Sequence, residues 1–535
     1  MTKIHQHPMN QNTSSHPKGL YVLYSTEMWE RFNFYGMRAL LSLFLVNALA
    51  YKQNEASIIY GGFLGLSYLT TMLGGYVSDR YLGNRNCIIL GGITMAIGQL
   101  LLFGSASTFM EGVETANLFM WSGLLFLILG NGFFKPNISS MVGQLYAKGD
   151  SRLDAAFTIF YMGINTGALL GMMICPWLGD VKVDGVRNLD AFKWGFLAAG
   201  SAMMIGTITF YFLKNKYLLK PDGQAVGLAP DFNKVQDSEE EADKADFTNK
   251  SIGITLLIFT LLVYLFHILF LSEIANPIKD WVYPVIYSAG ISLAFLIMTD
   301  KTLTSIERQR IYVMYIISFF VILFWSAYEQ AGSSLTFIAD QQTDLNFFGI
   351  ELPPSSVQNA NSFFIILLAF PFSWFWIWMQ KRGIEPNSPA KQAIGLMLLA
   401  LGYLIIAIQV KDLGSQKLGV AWLFIMYLFH TMGELCLSPI GLSLVAKLAP
   451  KRFSSLLMGV WFLANAAGYA LAGTLGALLP PVNAIASGQF PSFLGMEIKN
   501  LYDFFMLFVI MAGIASVLLY ILASGPLKKM MHGIR

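Results

Sequence analysis

Long apolar runs separated by short polar stretches make up most of this chain of 535 residues. Runs of about 18 or more apolar residues are long enough to cross a bilayer as helices. The pattern predicts six such helices first, near 20–50, 56–79, 87–108, 116–146, 154–180 and 192–214. Two follow near 251–271 and 281–299, and six more near 309–338, 356–380, 392–410, 418–448, 455–480 and 500–523. We therefore predict an all-α integral membrane protein with 14 transmembrane helices.

Polar segments divide the chain further into domains. Tails at 1–19 and 524–535 enclose one six-helix bundle at 20–214 and a second at 300–523. Between the bundles lie a polar linker at 215–250 and two inserted helices at 251–299. The linker contains prolines and an acidic cluster, which is typical of a solvated connection.

The two bundles share two short motifs in the same order. Gly130–Ile138 matches Met432–Ile440 in form, and Pro136 and Pro439 are in register when Gly130 is aligned with Gly433. Each stretch is followed by an aromatic residue with an asparagine four residues later, in Tyr161–Asn165 and Trp461–Asn465. Such an internal repeat indicates a transporter built from two related halves.

Composition agrees with a membrane protein and excludes several other classes. The chain is 55% hydrophobic and 13% charged, and its mean hydropathy is +0.56. A net charge of +3 with scattered basic residues predicts no nucleic-acid partner. The spacing of the 3 cysteines and 6 histidines predicts neither a disulfide framework nor a metal site. Without a His-Glu-x-x-His or Gly-x-Ser-x-Gly motif, we expect no enzyme and no bound cofactor.

Basic residues are distributed unevenly between the two sides of the predicted bundle. If the amino terminus is cytoplasmic, most Lys and Arg residues fall on the cytoplasmic side. We therefore predict a multi-pass protein of a bacterial-type inner (plasma) membrane, with both termini in the cytoplasm. The oligomeric state stays open.

The first predicted helix carries the charges Glu27, Glu30, Arg31 and Arg38. At about 100° per residue, Glu27, Arg31, Tyr35 and Arg38 share one face. A charge at the bilayer centre costs at least about 2.5 kcal/mol, so this face should turn inward, leaving the apolar faces to lipid. Glu27 and Arg31 can pair within the helix. No carboxylate follows Arg38 there, so its partner must come from elsewhere.

A glycine-rich, charged motif joins the second and third predicted helices. It reads Gly74-Gly75-Tyr76-Val77-Ser78-Asp79-Arg80-Tyr81-Leu82-Gly83-Asn84-Arg85. The motif resembles the signature loop of the major facilitator superfamily. That resemblance implies the major facilitator fold and a cytoplasmic latch between helices formed by Asp79 and Arg80. The alternative is a solvated ion pair in a positively charged turn.

Three more motifs, together with the two inserted helices, resemble the proton-dependent oligopeptide transporter (POT/PTR2) family of that superfamily. They read Glu27-x-x-Glu30-Arg31-Phe32-x-x-Tyr35-Gly36, Gly130-x-Gly132-x-x-Lys135-Pro136 and Phe157-x-x-Phe160-Tyr161-x-x-Ile164-Asn165-x-Gly167. The resemblance covers the chain except its tails and linker. It implies a proton-coupled symporter that imports di- and tripeptides by alternating access, with protons as the coupling ion.

A small peptide is a zwitterion, so its site should present cations at one end and an anion at the other. The first half supplies three cations, and the second half supplies Glu329 and Glu434. The resemblance implies that Glu434, Asn165 and Asn361 receive the peptide amine. It implies that the peptide carboxylate faces Arg31, Arg38 and Lys135, and that walls and polar contacts come from Tyr35, Tyr68, Tyr161, Trp325, Ser438 and Trp461.

Proton coupling requires a group that gains and loses a proton. Animal members of the family place a histidine in the second helix, where this chain reads Tyr60-Gly61-Gly62. The coupling role therefore falls to Glu27 and Glu30, held near Arg31 and Lys135, with Glu329 as a second protonatable group. The order of protonation stays open.

Two alternatives share part of this pattern. A symporter of another small anion, such as nitrate or an organic acid, would also use the cations. Relatives with such substrates tend to lose the two glutamates that this chain keeps at 27 and 30. A non-transporting peptide sensor would present the same binding residues. The preference for two or three residues, the proton stoichiometry and the role of the inserted helices stay open as well.

Overall fold

The computed structural model describes residues 15–147, 150, 152–229, 247–271, 276–414, 416–481 and 490–534. Most of the predicted amino-terminal tail and residues 230–246 of the predicted linker lie outside this part of the chain. Over the described residues the fold is all-α with 14 long helices, which confirms both the class and the count.

The first half is a bundle of six helices. They are α1 (Lys18–Asn47), α2 (Gln53–Val77), α3 (Gly83–Thr108), α4 (Val113–Gln144), α5 (Leu153–Gly179) and α6 (Phe192–Tyr217). A hairpin of two short strands, β1 (Lys182–Val183) and β2 (Val186–Arg187), joins α5 to α6. All six predicted helices are present, with ends shifted by a few residues.

Helix α1 lies in the interior of this bundle, packed mainly on α5 and α6. Its charged face is buried: Glu30 is 0% exposed and Arg31 is 4% exposed, as the cost of exposing charge to lipid required. The expectation that its other faces contact lipid is wrong. Met37 and Leu40 are fully buried because neighbouring helices cover those faces.

The two inserted helices form a pair at the edge of the second half. They are α7 (Asn249–Phe270) and α8 (Tyr283–Met298), and a π-helical turn, Ile278–Val282, leads into α8. Helix α7 packs chiefly on α8, and α8 packs on the helix over Ser454–Gly476. The pair therefore adds to the two bundles without entering either.

The second half contains the remaining long helices. They are α9 (Ser305–Tyr328), α11 (Ala360–Lys381), α12 (Ser388–Lys411), α13 (Val420–Leu448), α14 (Ser454–Gly476) and α15 (Leu501–Ser524). Two short helices accompany them, α10 (Ser334–Gln342) between α9 and α11 and α16 (Pro526–Met530) after α15. The predicted continuous helix near 309–338 is wrong, because a 3-10 turn at Glu329–Gly332 separates α9 from α10. A Cβ atom at Gly332 would overlap the hydroxyl of Tyr60, so this turn lets the two halves approach closely.

Short strands, which the hydrophobic pattern did not predict, connect several helices. β3 (Thr343–Asp344) pairs in parallel with β6 (Leu418–Gly419), with Thr343 opposite Leu418. Antiparallel hairpins are formed by β4 (Asn346–Phe347) with β5 (Ile350–Glu351), and by β7 (Ser492–Phe493) with β8 (Met496–Glu497). Helix direction alternates, so the hairpins share one face of the molecule, the hairpin face, and the chain ends share the opposite one, the termini face.

The two halves are joined by polar contacts at the hairpin face. Arg187 of the first half forms two hydrogen bonds to Asp340 of the second, at 3.0 and 2.8 Å. Asp180 accepts hydrogen bonds from the backbone nitrogen and the hydroxyl of Ser355, at 3.0 and 2.7 Å. Deeper in the same interface, Ser42 donates a hydrogen bond to the carbonyl oxygen of Gly332. These contacts close the interface on the hairpin side.

Candidate functional site

A cavity of about 250 Å³ lies between the two halves. Side chains from α1, α2, α4 and α5 line one wall, and side chains from α9, α11, α13 and α14 line the other. Its lining extends to Leu442, about two turns from the termini end of α13, and Tyr161 is 42% exposed. We infer that the cavity opens toward the termini face. It brings together these predicted substrate-binding residues: Tyr35, Tyr68, Lys135, Tyr161, Asn165, Trp325, Asn361, Glu434, Ser438 and Trp461.

Lys135 is the cation that faces this cavity. It lies on α4 directly before Pro136, and its Nζ atom is 3.6 Å from the centroid of the Tyr68 ring. A cation over an aromatic face is stabilised by the ring quadrupole, which leaves the charge itself uncompensated. Among the described residues Lys135 forms no ion pair. Its ammonium group is therefore available to an anion in the cavity.

Arg31 is paired within its own helix. Its Nε atom lies 2.7 Å from Oε1 of Glu27 and 2.7 Å from Oε2 of Glu30. Only the contact with Glu27 is also a hydrogen bond, and the buried carboxylate of Glu30 accepts none. Arg31 does not line the cavity. The predicted contact between Arg31 and a peptide carboxylate is therefore not set up in this conformation.

Arg38 is paired across the two halves. Its Nη1 atom lies 3.3 Å from Oε1 and 3.2 Å from Oε2 of Glu329, and the Tyr60 hydroxyl donates to the same carboxylate at 3.5 Å. The partner that the sequence left open for Arg38 is thus Glu329, one of the two anions of the second half and a predicted proton-coupling residue. Arg38 lines a small chamber of about 20 Å³ rather than the main cavity, so it also departs from its predicted place beside Lys135.

Glu434 is the anion that faces the cavity, on the wall formed by the second half. It accepts hydrogen bonds from the hydroxyl of Tyr328 and from Nδ2 of Asn361, the latter at 3.1 Å. Asn361 also donates to Thr431 at 3.0 Å. On the opposite wall, Asn165 donates to the carbonyl oxygen of Tyr161 at 2.9 Å, which leaves its own carbonyl oxygen to the cavity. Glu434, Asn361 and Asn165 thus offer acceptors to a ligand cation.

Aromatic side chains complete the walls. Tyr469 joins Tyr68 and Trp325, with ring centroids 4.8 and 5.8 Å from its own. Trp461 lies against Gly441, where a Cβ atom would overlap the indole ring. Trp461 is therefore held in place by close packing while one edge contacts the cavity.

Sequence reasoning missed several residues of the site: Tyr60, Tyr328, Phe462, Asn465 and Tyr469. Two of them carried a signal. Asn465 belongs to the repeated motif that already contained Trp461, and Tyr328 directly precedes Glu329. Nothing in the sequence around Tyr60 or Tyr469 indicated a role in the site, since tyrosines are frequent in the helices of this chain.

The predicted latch residues lie at the termini face. Asp79 and Arg80 are in a π-helical turn, Ser78–Leu82, and both are exposed. In the described part of the chain they form no ion pair with each other, and Arg80 lies over the ring of Tyr76 at 5.7 Å. Arg85 of the same motif is buried and donates to the carbonyl oxygen of Leu218 at 2.6 Å. The latch role of Asp79 and Arg80 therefore stays a prediction.

The chain is similar over most of its length to known peptide transporters. A sequence model of the POT family matches residues 85–490. The peptide transporter YePEPT of Yersinia enterocolitica is 34% identical over 483 residues, covering 88% of this chain and 89% of that protein. The di-/tripeptide transporter of Lactococcus lactis subsp. cremoris is 32% identical over 473 residues, covering 85% and 88%. A solved POT family transporter in complex with a thioalcohol-conjugated peptide superposes with a TM-score of 0.76 at 29% identity, covering 97% of this chain and 98% of that one.

Proposed function

The chain belongs to the POT family, and from this membership we propose that it is a proton-coupled symporter of di- and tripeptides that works by alternating access. It is a membrane transporter with the major facilitator fold and not an enzyme. The cavity between the halves is the proposed substrate site.

The placement of opposite charges in this cavity is the observation that carries the proposal. Lys135 of the first half forms no ion pair among the described residues, and Glu434 of the second half lines the opposite wall. A peptide zwitterion would place its carboxylate at Lys135 and its ammonium group at Glu434. Nitrate or another simple anion would use only the first of these. A cavity of about 250 Å³ suits a small substrate.

The arrangement around Arg31 supports a proton-dependent switch. Arg31 is held by Glu27 and Glu30, and an ionised carboxylate that is buried without a hydrogen bond, as Glu30 is, costs free energy. Protonation of Glu30 would remove one of the two charges that hold Arg31. The guanidinium would then be free to join Lys135 at the peptide carboxylate.

A second carboxylate couples the proton to movement of the halves. Glu329 holds Arg38 across the interface, on the hairpin side of the cavity. Protonation of Glu329 would weaken that ion pair, so the interface could separate on this side while the termini side closes. In this scheme the exposed Asp79 and Arg80 engage when the termini side is closed.

Orientation follows from the distribution of basic residues. We assign the termini face to the cytoplasm of a bacterial-type inner membrane, because most Lys and Arg residues fall on that side. The cavity would then face the cytoplasm, ready to release a peptide. Import thus ends in the conformation described here.

Uptake into proteoliposomes tests the proposal. A labelled dipeptide should accumulate when the lumen is alkaline relative to the outside, and unlabelled di- and tripeptides should compete for uptake whereas nitrate should not. The matched control is the same vesicle without a pH gradient. Peptide binding without flux would identify a sensor, and gradient-driven uptake of nitrate without peptide competition would identify an anion symporter.

A further inference from the structure

An apolar groove of about 500 Å³ runs along the junction between the inserted helices and the second half. It is lined mostly by aromatic and aliphatic side chains of α7, α8, α9 and α14. Ile291 and Phe319, on opposite sides of the groove, are 48% and 57% exposed. Because α8 and α9 cross the membrane, the groove opens sideways to lipid at this point.

The groove is long enough for an acyl chain. Its lining residues on α14 run from Val460 to Thr474, which is about 21 Å at 1.5 Å per residue. One leaflet of hydrocarbon is about 15 Å deep, half of a typical bilayer core. A lipid tail lying along α14 would therefore remain in contact with the groove through its own leaflet.

At the hairpin face the groove continues into a crevice of about 940 Å³ that contains charged side chains, and Thr474 and Phe493 line both. The crevice contains Lys52, Lys279 and Glu55. Among the described residues neither lysine forms an ion pair. One oxygen of Glu55 accepts a hydrogen bond from the backbone nitrogen of Lys52 at 3.0 Å. Two cations and one carboxylate thus lie at the polar end of an apolar groove.

We propose that a phospholipid with a phosphoethanolamine head group binds here. One acyl chain lies in the groove, the phosphate lies between Lys52 and Lys279, and the head-group ammonium lies at Glu55. The head group matches the site in charge. A ligand with a phosphate alone would be repelled by Glu55, and a ligand with an amine alone would be repelled by the two lysines. The bound lipid fills the groove along the junction of the inserted helices and the second half.

Native mass spectrometry of the purified full-length protein tests the phosphate contacts. Phosphatidylethanolamine and phosphatidylglycerol of equal chain length are added to delipidated protein, and the bound fraction is measured. The Lys52→Ala/Lys279→Ala variant should retain phosphatidylethanolamine at least tenfold less than the unmutated protein, because two charge-assisted contacts are lost. The control Lys411→Ala/Lys417→Ala removes two exposed lysines of the same face and should change nothing. Equal retention in both variants would overturn the proposal.

The ammonium contact is tested by Glu55→Gln. Glutamine removes the charge but keeps an acceptor at this position for the helix terminus. The unmutated protein should prefer phosphatidylethanolamine, and the variant should retain the two lipids about equally. Equal retention of both lipids by the unmutated protein would refute the assigned head group.

The tail contact is tested by filling the groove. A Cβ atom at Gly290 would lie 3.7 Å from Cβ of Leu463, an ordinary contact, so Gly290→Leu extends into the groove without a backbone clash. This variant should lose lipid, whereas Gly513→Leu, at a position with no neighbour within 4 Å, should not. Free phosphoethanolamine should fail to displace the lipid from the unmutated protein. Displacement by the free head group at equal concentration would show that the groove contributes nothing and would overturn the proposal.

Discussion

Arg187 in the β1–β2 hairpin and Asp340 at the end of α10 form a bidentate ion pair between the two halves, at 3.0 and 2.8 Å. Asp180 lies 2.8 Å from Arg187, and Lys182 lies 3.3 Å from Asp340. Burial by itself would lower the pKa of Arg187. Hydrogen bonding to Asp340 and the charges of Asp180 and Asp340 outweigh burial, so the pKa lies above its ordinary value. Arg187 is therefore charged at neutral pH and helps to close the hairpin face.

Asp340→Asn should open the hairpin face more often. Removing one partner leaves the charge of Arg187 less compensated, and breaking a largely buried pair costs about 3 to 5 kcal/mol. We expect the ratio of open to closed molecules to rise at least tenfold. Spin labels at Val183→Cys and Phe348→Cys, both exposed hairpin positions, would report a longer distance between the halves. The three natural cysteines are buried and should stay unlabelled.

The matched control for this experiment is Glu497→Gln. It breaks the exposed pair between Lys499 and Glu497, 3.1 Å apart, which lies on the hairpin face within the second half. It should leave the distance distribution unchanged. If Asp340→Asn also left the distance distribution unchanged, the pair of Arg187 and Asp340 would not control opening of the hairpin face.

Lys135→Gln should weaken the binding of free dipeptides by tenfold or more. The variant removes the cation assigned to the peptide carboxylate, and a hydrogen bond to a charged group contributes about 1.5 to 3 kcal/mol. A dipeptide with an amidated carboxyl end should lose much less affinity, as measured by calorimetric titration. The control Lys193→Gln removes a lysine that pairs with Asp190 outside the cavity. Equal losses for both ligands would mean that Lys135 supports α4 rather than the substrate.

Glu434→Gln tests the other end of the cavity. The neutral amide keeps the size of the side chain and an acceptor for Tyr328 and Asn361, but it loses the charge opposite the peptide ammonium. Free dipeptides should bind at least tenfold more weakly, and amine-acetylated dipeptides should bind almost as before. Calorimetric titration with both ligands distinguishes substrate binding from a structural role, because a purely structural role of Glu434 would lower both affinities together.

Changing Glu27 and Glu30 together to Gln should abolish proton coupling while leaving the transport of peptide down its own gradient intact. Arg31 then has no carboxylate partner on its helix and stays available to the peptide. We expect counterflow of peptide between equal pools to persist and accumulation driven by a proton gradient to disappear. The control Glu111→Gln/Glu114→Gln changes two exposed glutamates of the hairpin face. Undiminished accumulation in the first variant would move the coupling role to Glu329.

Gly441→Ala should narrow the cavity without removing any of its polar groups. The added methyl group would overlap the indole of Trp461, which must then shift toward the ligand. Uptake of dipeptides with large side chains should fall several-fold more than uptake of dialanine, because the displaced ring occupies side-chain space. The same change at Gly513, which has no neighbour within 4 Å, should affect neither. A uniform loss for all peptides would indicate a folding defect instead.

The helices and the two charged poles followed from the sequence. Hydrophobic length determines where helices cross a bilayer, and the cost of charge in lipid turned the polar face of α1 inward. Both are properties of a segment and its solvent, so neither needs knowledge of distant residues. Lys135 and Glu434, each within a repeated proline motif, were expected at the site from the resemblance to the family, and they line one cavity.

Only the tertiary structure decided which charged residues form ion pairs and which one faces the cavity. Arg38 and Glu329 are 291 residues apart in sequence, and Tyr328 reaches Glu434 across 106 residues. At the break in the helix before α10, Gly332 lies directly against Tyr60 of the other half. Periodicity determines which face a residue occupies, but not which helix packs against that face or at what height. For this reason the sequence supplied three candidate cations, and packing left Lys135 as the one that faces the cavity without an ion pair among the described residues.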